Sequence, residues 1–179
     1  MYEGIFIAGF GGQGVILAGR LICLAAMNEG RFVSHIPSYG AEVRGGTANC
    51  SVIVSDEEVA SPLVPRPSIC IVLNTPSFLK FQPMVAPDGL FIYNSSLIDL
   101  KPTRADIQSV PVAANAIAEE VGSYKAANMV ALGLLLRKRP LATLESIMGA
   151  LDEAVSARNR QLNDINREAL RRGYDSLKN

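Results

Sequence analysis

Residues 4–14 read Gly4-Ile5-Phe6-Ile7-Ala8-Gly9-Phe10-Gly11-Gly12-Gln13-Gly14, and an apolar run of helical length follows from Val15 to Glu29. Ile5, Phe6 and Ile7 are β-branched and aromatic residues suited to a short buried strand. Strand, glycine turn and helix in this order open a βαβ unit, so the stretch predicts a Rossmann-like start. The glycines let the backbone turn sharply and let a ligand or neighbouring chain approach without meeting a Cβ. The first N–H groups of the helix lack intrahelical partners and carry the positive end of its dipole, which makes the turn an anion or phosphate seat.

Gly9, Gly11 and Gly14 satisfy the spacing G-x-G-x-x-G of dinucleotide-binding turns. That fingerprint also needs an acidic residue about 20 positions on, at the end of the second strand, to hold the ribose. The next strand-like run, Arg31 to Ile36, ends in His35-Ile36-Pro37-Ser38, with Glu29 before it and Glu42 well beyond. The missing acid argues against NAD or FAD. Two readings stay open: an anion seat of another kind, and a turn whose glycines serve only the packing of the chain.

Outward from this unit, hydrophobic runs alternate with helical ones. Thr47–Ser55 alternates as a strand, after a polar, glycine-flanked loop over Ser38–Gly46. Asp56-Glu57-Glu58 reads as a solvated turn. Ala60–Pro67, with three prolines, reads as an extended connector. Ser68–Asn74 is a continuous apolar strand of the kind buried on both faces of a parallel sheet. Thr75-Pro76 opens a short helix to about Val85, with Thr75 as the cap. Leu90–Tyr93 and Ile107–Val112 are further strands, and an Ala-rich helix runs on to about Val121. Tyr124–Lys138 is helical and apolar all round between Met129 and Leu136, hence buried. Pro140 breaks it. Leu141, Leu144, Ile147, Met148, Leu151 and Val155 then form an amphipathic stripe, continued by Leu162, Ile165, Ala169, Leu170 and Leu177. These patterns predict a single domain over residues 1–179, α/β in class. The expected architecture is three layers, α/β/α, around a mostly parallel sheet, with a helical C-terminal third.

Composition narrows the function. Seventeen acidic and seventeen basic residues balance, so no net charge steers the chain to nucleic acid or an anionic membrane. The longest apolar runs, such as Val130–Leu136, fall far short of the roughly 20 residues of a bilayer span. The N-terminus passes straight into a strand with no basic leader, so a cytoplasmic location is expected. An apolar share of 49% suggests that part of the surface is buried against a partner. Cys23, Cys50 and Cys70 are dispersed within apolar runs and read as small buried hydrophobes. With His35 they are too few and too scattered to build an iron–sulfur cluster or a zinc site unaided.

In an open parallel sheet, ligands gather outside the carboxyl ends of the strands. The loops Gly9–Gly14 and Ser38–Gly46 emerge there, offering glycine backbone, Gln13, Tyr39, Glu42 and Arg44. Arg44 supplies a planar fork for phosphate or carboxylate, unless it simply pairs with Glu42. No nucleophile–base–orienter set is visible, since the single histidine has no obvious aspartate and serine. By itself the chain does not read as a complete enzyme.

The blocks GFGGQGV at 9–15, SYGAEVRGGTANCSVIVS at 38–55 and Asn128-Met129-Val130-Ala131-Leu132-Gly133 closely resemble the gamma subunit of 2-oxoacid:ferredoxin (acceptor) oxidoreductases, over essentially the whole chain. The second block is most like the 2-oxoglutarate branch, with Ala41 where proline is usual. Pyruvate-type chains tend to read S-F-G-x-E-R-R-G there, and indolepyruvate-type chains carry a longer loop. The resemblance implies an α/β subunit of an enzyme that decarboxylates a 2-oxoacid on thiamine diphosphate, passes electrons through iron–sulfur clusters to ferredoxin, and forms an acyl-coenzyme A. It also implies that thiamine diphosphate lies between the alpha and beta chains and the clusters on beta or delta chains, with no cofactor held by the gamma chain alone. By the same resemblance Gly11, Gly12, Gln13 and Gly14 match the family's glycine loop, and Tyr39, Gly40, Glu42, Arg44, Gly45 and Gly46 match its second block. These residues then line a face near the coenzyme A path, or dock the alpha chain. A stand-alone dinucleotide enzyme and an anion-binding regulatory module are the rival readings. Binding of nicotinamide or flavin by the isolated chain separates the first from the subunit, and ligand binding without stable association with thiamine-enzyme subunits separates the second.

Overall fold

The computed structural model describes residues 1–39, 47–155 and 161–177. Strand β1 (Tyr2–Phe10) is internal to a six-stranded sheet, and its alternation sends Ile5 and Ile7 to one side and Phe6 and Ala8 to the other. The glycine turn leads to α1 (Val15–Asn28), β2 (Phe32–Tyr39), β3 (Thr47–Ser55) and β4 (Ile69–Val72). There follow α2 (Thr75–Phe81), β5 (Leu90–Asn94), β6 (Gln108–Val112), α3 (Ala114–Glu120), α4 (Ala127–Lys138), α5 (Leu144–Ala154) and α6 (Asn163–Asp175).

The strand order is β2-β3-β1-β4-β5-β6. β1, β4, β5 and β6 are parallel neighbours, while β3 is antiparallel to both β1 and β2. Five strands therefore share one direction, as the α/β expectation requires. The opening unit differs in one respect, because β3 lies between β1 and β2. The seven residues from 40 to 46 that join β2 to β3 are too few for a crossover, so β3 returns antiparallel. β2 also runs to Tyr39 instead of ending at Ile36: its ladder with β3 continues to Tyr39 opposite Ala48, and an edge strand tolerates Pro37.

The two faces of the sheet are covered unequally. α1 and α3–α6 bury one side, where Ile5, Ile7, Cys50, Val52, Ile69, Ile71 and Ile92 meet Leu21, Ile22, Leu132 and Leu151. On the other side α2 and the segments near Ile98 and Ile107 enclose a smaller cluster around Phe78, Phe81 and Phe91. α4 is buried from Ala127 to Leu136, which explains its lack of a polar face. It meets α6 at two glycines: a Cβ on Gly133 would collide with the Leu170 carbonyl, and one on Gly173 with the Val130 carbonyl.

α2 starts one residue earlier than the cap expected at Thr75. Asn74 is the N-cap, its Oδ1 accepting from the Ser77 N–H at 2.8 Å, and Thr75 is the first helical residue. Asn ranks above Thr as a cap, and here its amide also reaches the neighbouring loop.

Candidate functional site at the carboxyl edge of the sheet

The glycine turn is built by three different requirements. Gln13 N–H bonds to the Phe10 carbonyl at 3.1 Å, closing a tight turn in which Gly12 has φ 96°. That backbone region suits glycine, and a Cβ at Gly12 would meet nothing within 4 Å. Gly9 is needed for packing, since a Cβ there would lie 2.6 Å from Gln13 Oε1. Gly14, the N-cap of α1 at φ 71°, faces Asn128, whose Nδ2 donates to the Gly14 carbonyl at 3.0 Å. Two of the three fingerprint glycines are thus accounted for by the chain's own packing. Gly11 and Gly12 are left to face outward.

They open on a cavity of about 560 Å³, within the usual range for small-molecule sites. Gly11, Gly12 and Gln13 line it together with Leu73 and Leu97, which follow β4 and β5. Asn115 of α3, Tyr124 and Lys125 of the short 3-10 turn before α4, and Ala127 at the start of α4 complete it. Tyr124 is 59% exposed, so its ring is free to stack on a ligand at the mouth. Lys125 is the charged side chain among the described lining residues.

A chain of amides fixes this edge. Gln13 Oε1 accepts from the Phe10 N–H at 2.6 Å and from Asn74 Nδ2 at 3.4 Å, while Gln13 Nε2 donates to the Leu73 carbonyl at 3.3 Å. Asn94, fully buried at the end of β5, donates to Asn115 Oδ1 at 2.7 Å and accepts from the Ser96 and Ala114 N–H groups. Asn115 Nδ2 then donates to the Tyr124 carbonyl at 3.5 Å. The glycine turn, the ends of β4 and β5 and the Tyr124-Lys125 segment are thereby tied by hydrogen bonds that are buried or half-buried between the strand ends and exposed at Phe10 and Tyr124.

The site residues expected from sequence divide sharply. Gly11, Gly12 and Gln13 line the cavity and Gly14 caps α1 behind it. The backbone of Tyr39 ends β2 opposite Ala48, and Phe10 pairs with Thr47, so the two loops leave the same edge of the sheet. Gly40, Glu42, Arg44, Gly45 and Gly46 lie outside the described residues, as does the side chain of Tyr39. Asn115, Tyr124 and Lys125 are the part that sequence reading missed. The recurring asparagine just past an apolar strand, at Asn74, Asn94 and Asn115, was the available signal.

His35 sits on the α1 side of β2, beside Gly19 and Cys50. Burial and the Arg20 charge hold its pKa below the ordinary value. Burial pushes the Cys23 and Cys50 thiols up to about 12 and raises Cys70 as well, so all three are protonated and poor nucleophiles at neutral pH. Among the described residues no group of three His, Cys, Asp or Glu side chains is placed to hold a metal ion. The edge can bind and orient a ligand bearing negative charge and a planar or apolar part. It shows no acid–base pair or activated nucleophile among its described side chains.

Such a scaffold defines an α/β domain with a ligand-sized cavity at the carboxyl edge of its sheet. The sequence model of the family described as pyruvate ferredoxin/flavodoxin oxidoreductase matches residues 4–176, and the chain belongs to that family. It is 42% identical over 130 residues to ketoisovalerate oxidoreductase subunit VorA of Methanothermobacter thermautotrophicus, an alignment covering 73% of this chain and 27% of that one. It is 30% identical to 2-oxoglutarate synthase subunit KorC of Methanocaldococcus jannaschii, covering 99% of this chain and 95% of the relative. The gamma subunit of a keto/oxoacid ferredoxin oxidoreductase from Geobacter sulfurreducens superposes with a TM-score of 0.83 at 27% identity, covering 97% of this chain and 96% of that one. The chain spans 27% and 35% of the length of the ketoisovalerate relatives it matches.

Proposed function

We propose that this chain is the gamma subunit of a multi-chain, thiamine diphosphate-dependent 2-oxoacid:ferredoxin oxidoreductase that works in the cytoplasm. The assembled enzyme oxidatively decarboxylates a 2-oxoacid and transfers the acyl group to coenzyme A, with ferredoxin taking the electrons. The observation that carries this reading is the family match over residues 4–176, joined to a ligand-sized cavity at the carboxyl edge of the sheet. The thiols of this chain do not fit an iron–sulfur cluster: they are buried, protonated and on separate elements. Clusters are therefore assigned to the beta or delta chains, and by the resemblance thiamine diphosphate to the junction of alpha and beta. Coenzyme A is the substrate whose chemistry fits the cavity, with phosphate near Lys125 and the Gly11-Gly12 backbone and the adenine ring against Tyr124 and Leu97.

For the oxoacid we infer 2-oxoglutarate, because the 2-oxoglutarate synthase relative matches this chain from end to end. The second reading, a branched-chain oxoacid, is favoured by the higher identity to the ketoisovalerate subunit. The test is anaerobic purification of the complex through a tag on this chain, followed by coenzyme A-dependent dye reduction with 2-oxoglutarate, 2-ketoisovalerate, pyruvate and indolepyruvate. Thiamine- and cluster-bearing chains should co-purify, with 2-oxoglutarate giving the highest kcat/KM. A lone chain that binds a nicotinamide or flavin would sink the subunit reading.

A further inference from the structure

The side of the sheet opposite α1 is only partly covered. α2, with the segments near Ile98 and Ile107, covers β4, β5 and the adjoining side of β1. The connector between β3 and β4 closes over the other end, where Val64 rests on Gly4 and where Ile53 and Ser55 are buried. Beyond these, no described element packs over the remaining part of the face, across β3 to the edge strand β2. α1 is the helix packed on β2 and β3, and it lies on the other side.

Alternation and register decide what the open face presents. Ile36 and Ser51 lie in one row that ends at Phe6, and Ser38 and Asn49 in the next, which ends at Ala8. Phe6 and Ala8 are packed under α2, so the open part is formed by β2 and β3 with Phe10 at the end of β1. Phe10 is 39% exposed, Ile36 37% and Phe32 44%. No position of β1, β2 or β3 on this side carries Asp, Glu, Lys or Arg, although such residues make up 19% of the chain. Edge strands left in water are usually blunted by charge, and β2 over its eight residues has none. Charge depletion with exposed aromatics and aliphatics is the composition of an interface core. Pro37 is the one blunting device present. It opposes addition of a further strand, so a partner is expected to lie on the face and not to extend the ladder.

We propose that this open face of β2 and β3, with Phe10 at the end of β1, docks another chain of the same assembly. That chain is the one equivalent to the rest of the polypeptide in the longer relatives. This rests on the subunit reading above. The occupant follows from length: in the ketoisovalerate relatives the part resembling this chain fills 27% and 35% of one polypeptide. The remainder is there a covalently tethered neighbour, so a domain cut loose from it must bind it through a surface. The complementary surface is uncharged and apolar with hydroxyl or amide groups, to match Ile36, Phe32 and Phe10 and to satisfy Ser38, Ser51 and Asn49. A chain seated there ends against Phe10, beside the mouth of the cavity at Gly11.

The test introduces a charge on the face of the full-length tagged chain and purifies the complex anaerobically from the native cells. Ile36→Lys and Ser38→Lys are the face variants, and Met27→Lys on the exposed end of α1 is the control. Each face variant should recover at least about tenfold less of the chains whose peptide sequences match the remainder of the longer relatives. The thermal unfolding of the free chain should be unchanged, and Met27→Lys should recover the partners at the wild-type level. Wild-type recovery by both face variants overturns the docking face and leaves the subunit reading intact. If the wild-type chain retrieves no such partners, the subunit reading falls and the docking proposal with it. If light scattering shows a free two-fold dimer that Ile36→Lys converts to monomer, the face belongs to a second copy and the proposal is overturned.

Discussion

Lys125 lines the same cavity as Gly11 and Gly12, which carry no side chain, and on the proposed coenzyme A reading its ammonium is a point charge for phosphate. A charge-assisted hydrogen bond contributes about 1.5–3 kcal/mol. Lys125→Ala in the assembled enzyme should therefore raise KM for coenzyme A by roughly tenfold or more, at about 1.4 kcal/mol per factor of ten. KM for the oxoacid should stay put, and Lys125→Arg should keep most of the affinity. An unchanged KM for coenzyme A places that substrate elsewhere. His35 gives a second prediction at this scale, on stability. Its pKa is held below 6.5 first by burial and then by the Arg20 charge, so the unfolded chain takes up the proton before the folded one does. The sign follows: stability is full above pH 6.5 and falls as pH drops below it. Asp56, Asp106 and Glu29 also titrate below their ordinary values, but those lie near pH 4, so their losses come later. Urea midpoints between pH 7 and 5 should decline in the wild type and stay nearly level in His35→Leu.

At the scale of elements, the crossing of α4 and α6 depends on two glycines set against backbone carbonyls. Gly133→Ala or Gly173→Ala drives a methyl into a carbonyl that a helix holds fixed, unlike a flexible side chain that can move aside. Overpacking of this kind costs about 1–3 kcal/mol or more. Either variant should lower the melting temperature by several degrees. Gly149→Ala, at an exposed position of α5 where a Cβ meets nothing within 4 Å, should raise it, since alanine favours a helix interior by up to about 1 kcal/mol. Circular dichroism melts decide both, and equal melts for all three would remove the packing argument. The elements themselves were legible in the sequence because burial writes a period into it: 2 in Thr47–Ser55, 3.6 in Leu144–Ala154, and neither in the wholly buried β4 and α4. Pairing order leaves no such trace, which is why the insertion of β3 between β1 and β2 was not. The glycine half of the site was legible for a local reason, a turn that needs residues without Cβ. Tyr124 and Lys125 reach the same cavity through contacts more than 100 residues away in sequence, and no local pattern announces that. The Gly133–Gly173 contact was hidden likewise, since each glycine read as an ordinary helical residue.

For the molecule as a whole, one continuous cluster runs from Ile5 in β1 through Leu132 in α4 to Leu170 in α6. With the smaller Phe78 cluster on the other side of the same sheet, this main core predicts one cooperative unfolding transition, the same by far-ultraviolet circular dichroism and tyrosine fluorescence. Within that unit, resistance to local opening should follow burial and neighbours. β4 is buried at every position and lies between β1 and β5, and α4 is enclosed along ten consecutive residues. β6 pairs on one side only and keeps four of its five residues at least partly exposed. Amides of Ile69–Val72 and of Met129–Leu135 should therefore exchange only when the whole chain unfolds. Those of Gln108–Val110 and Val112 should exchange through openings at least about 2 kcal/mol less costly. β2, paired with β3 alone, belongs with β6 in the free chain, which ties its exchange to the amount of sheet still lacking a neighbour. Native-state hydrogen exchange in low denaturant reads these energies residue by residue. A uniform value across β2, β4 and β6 would mean that the sheet opens as one body and that its edges are no weaker than its centre.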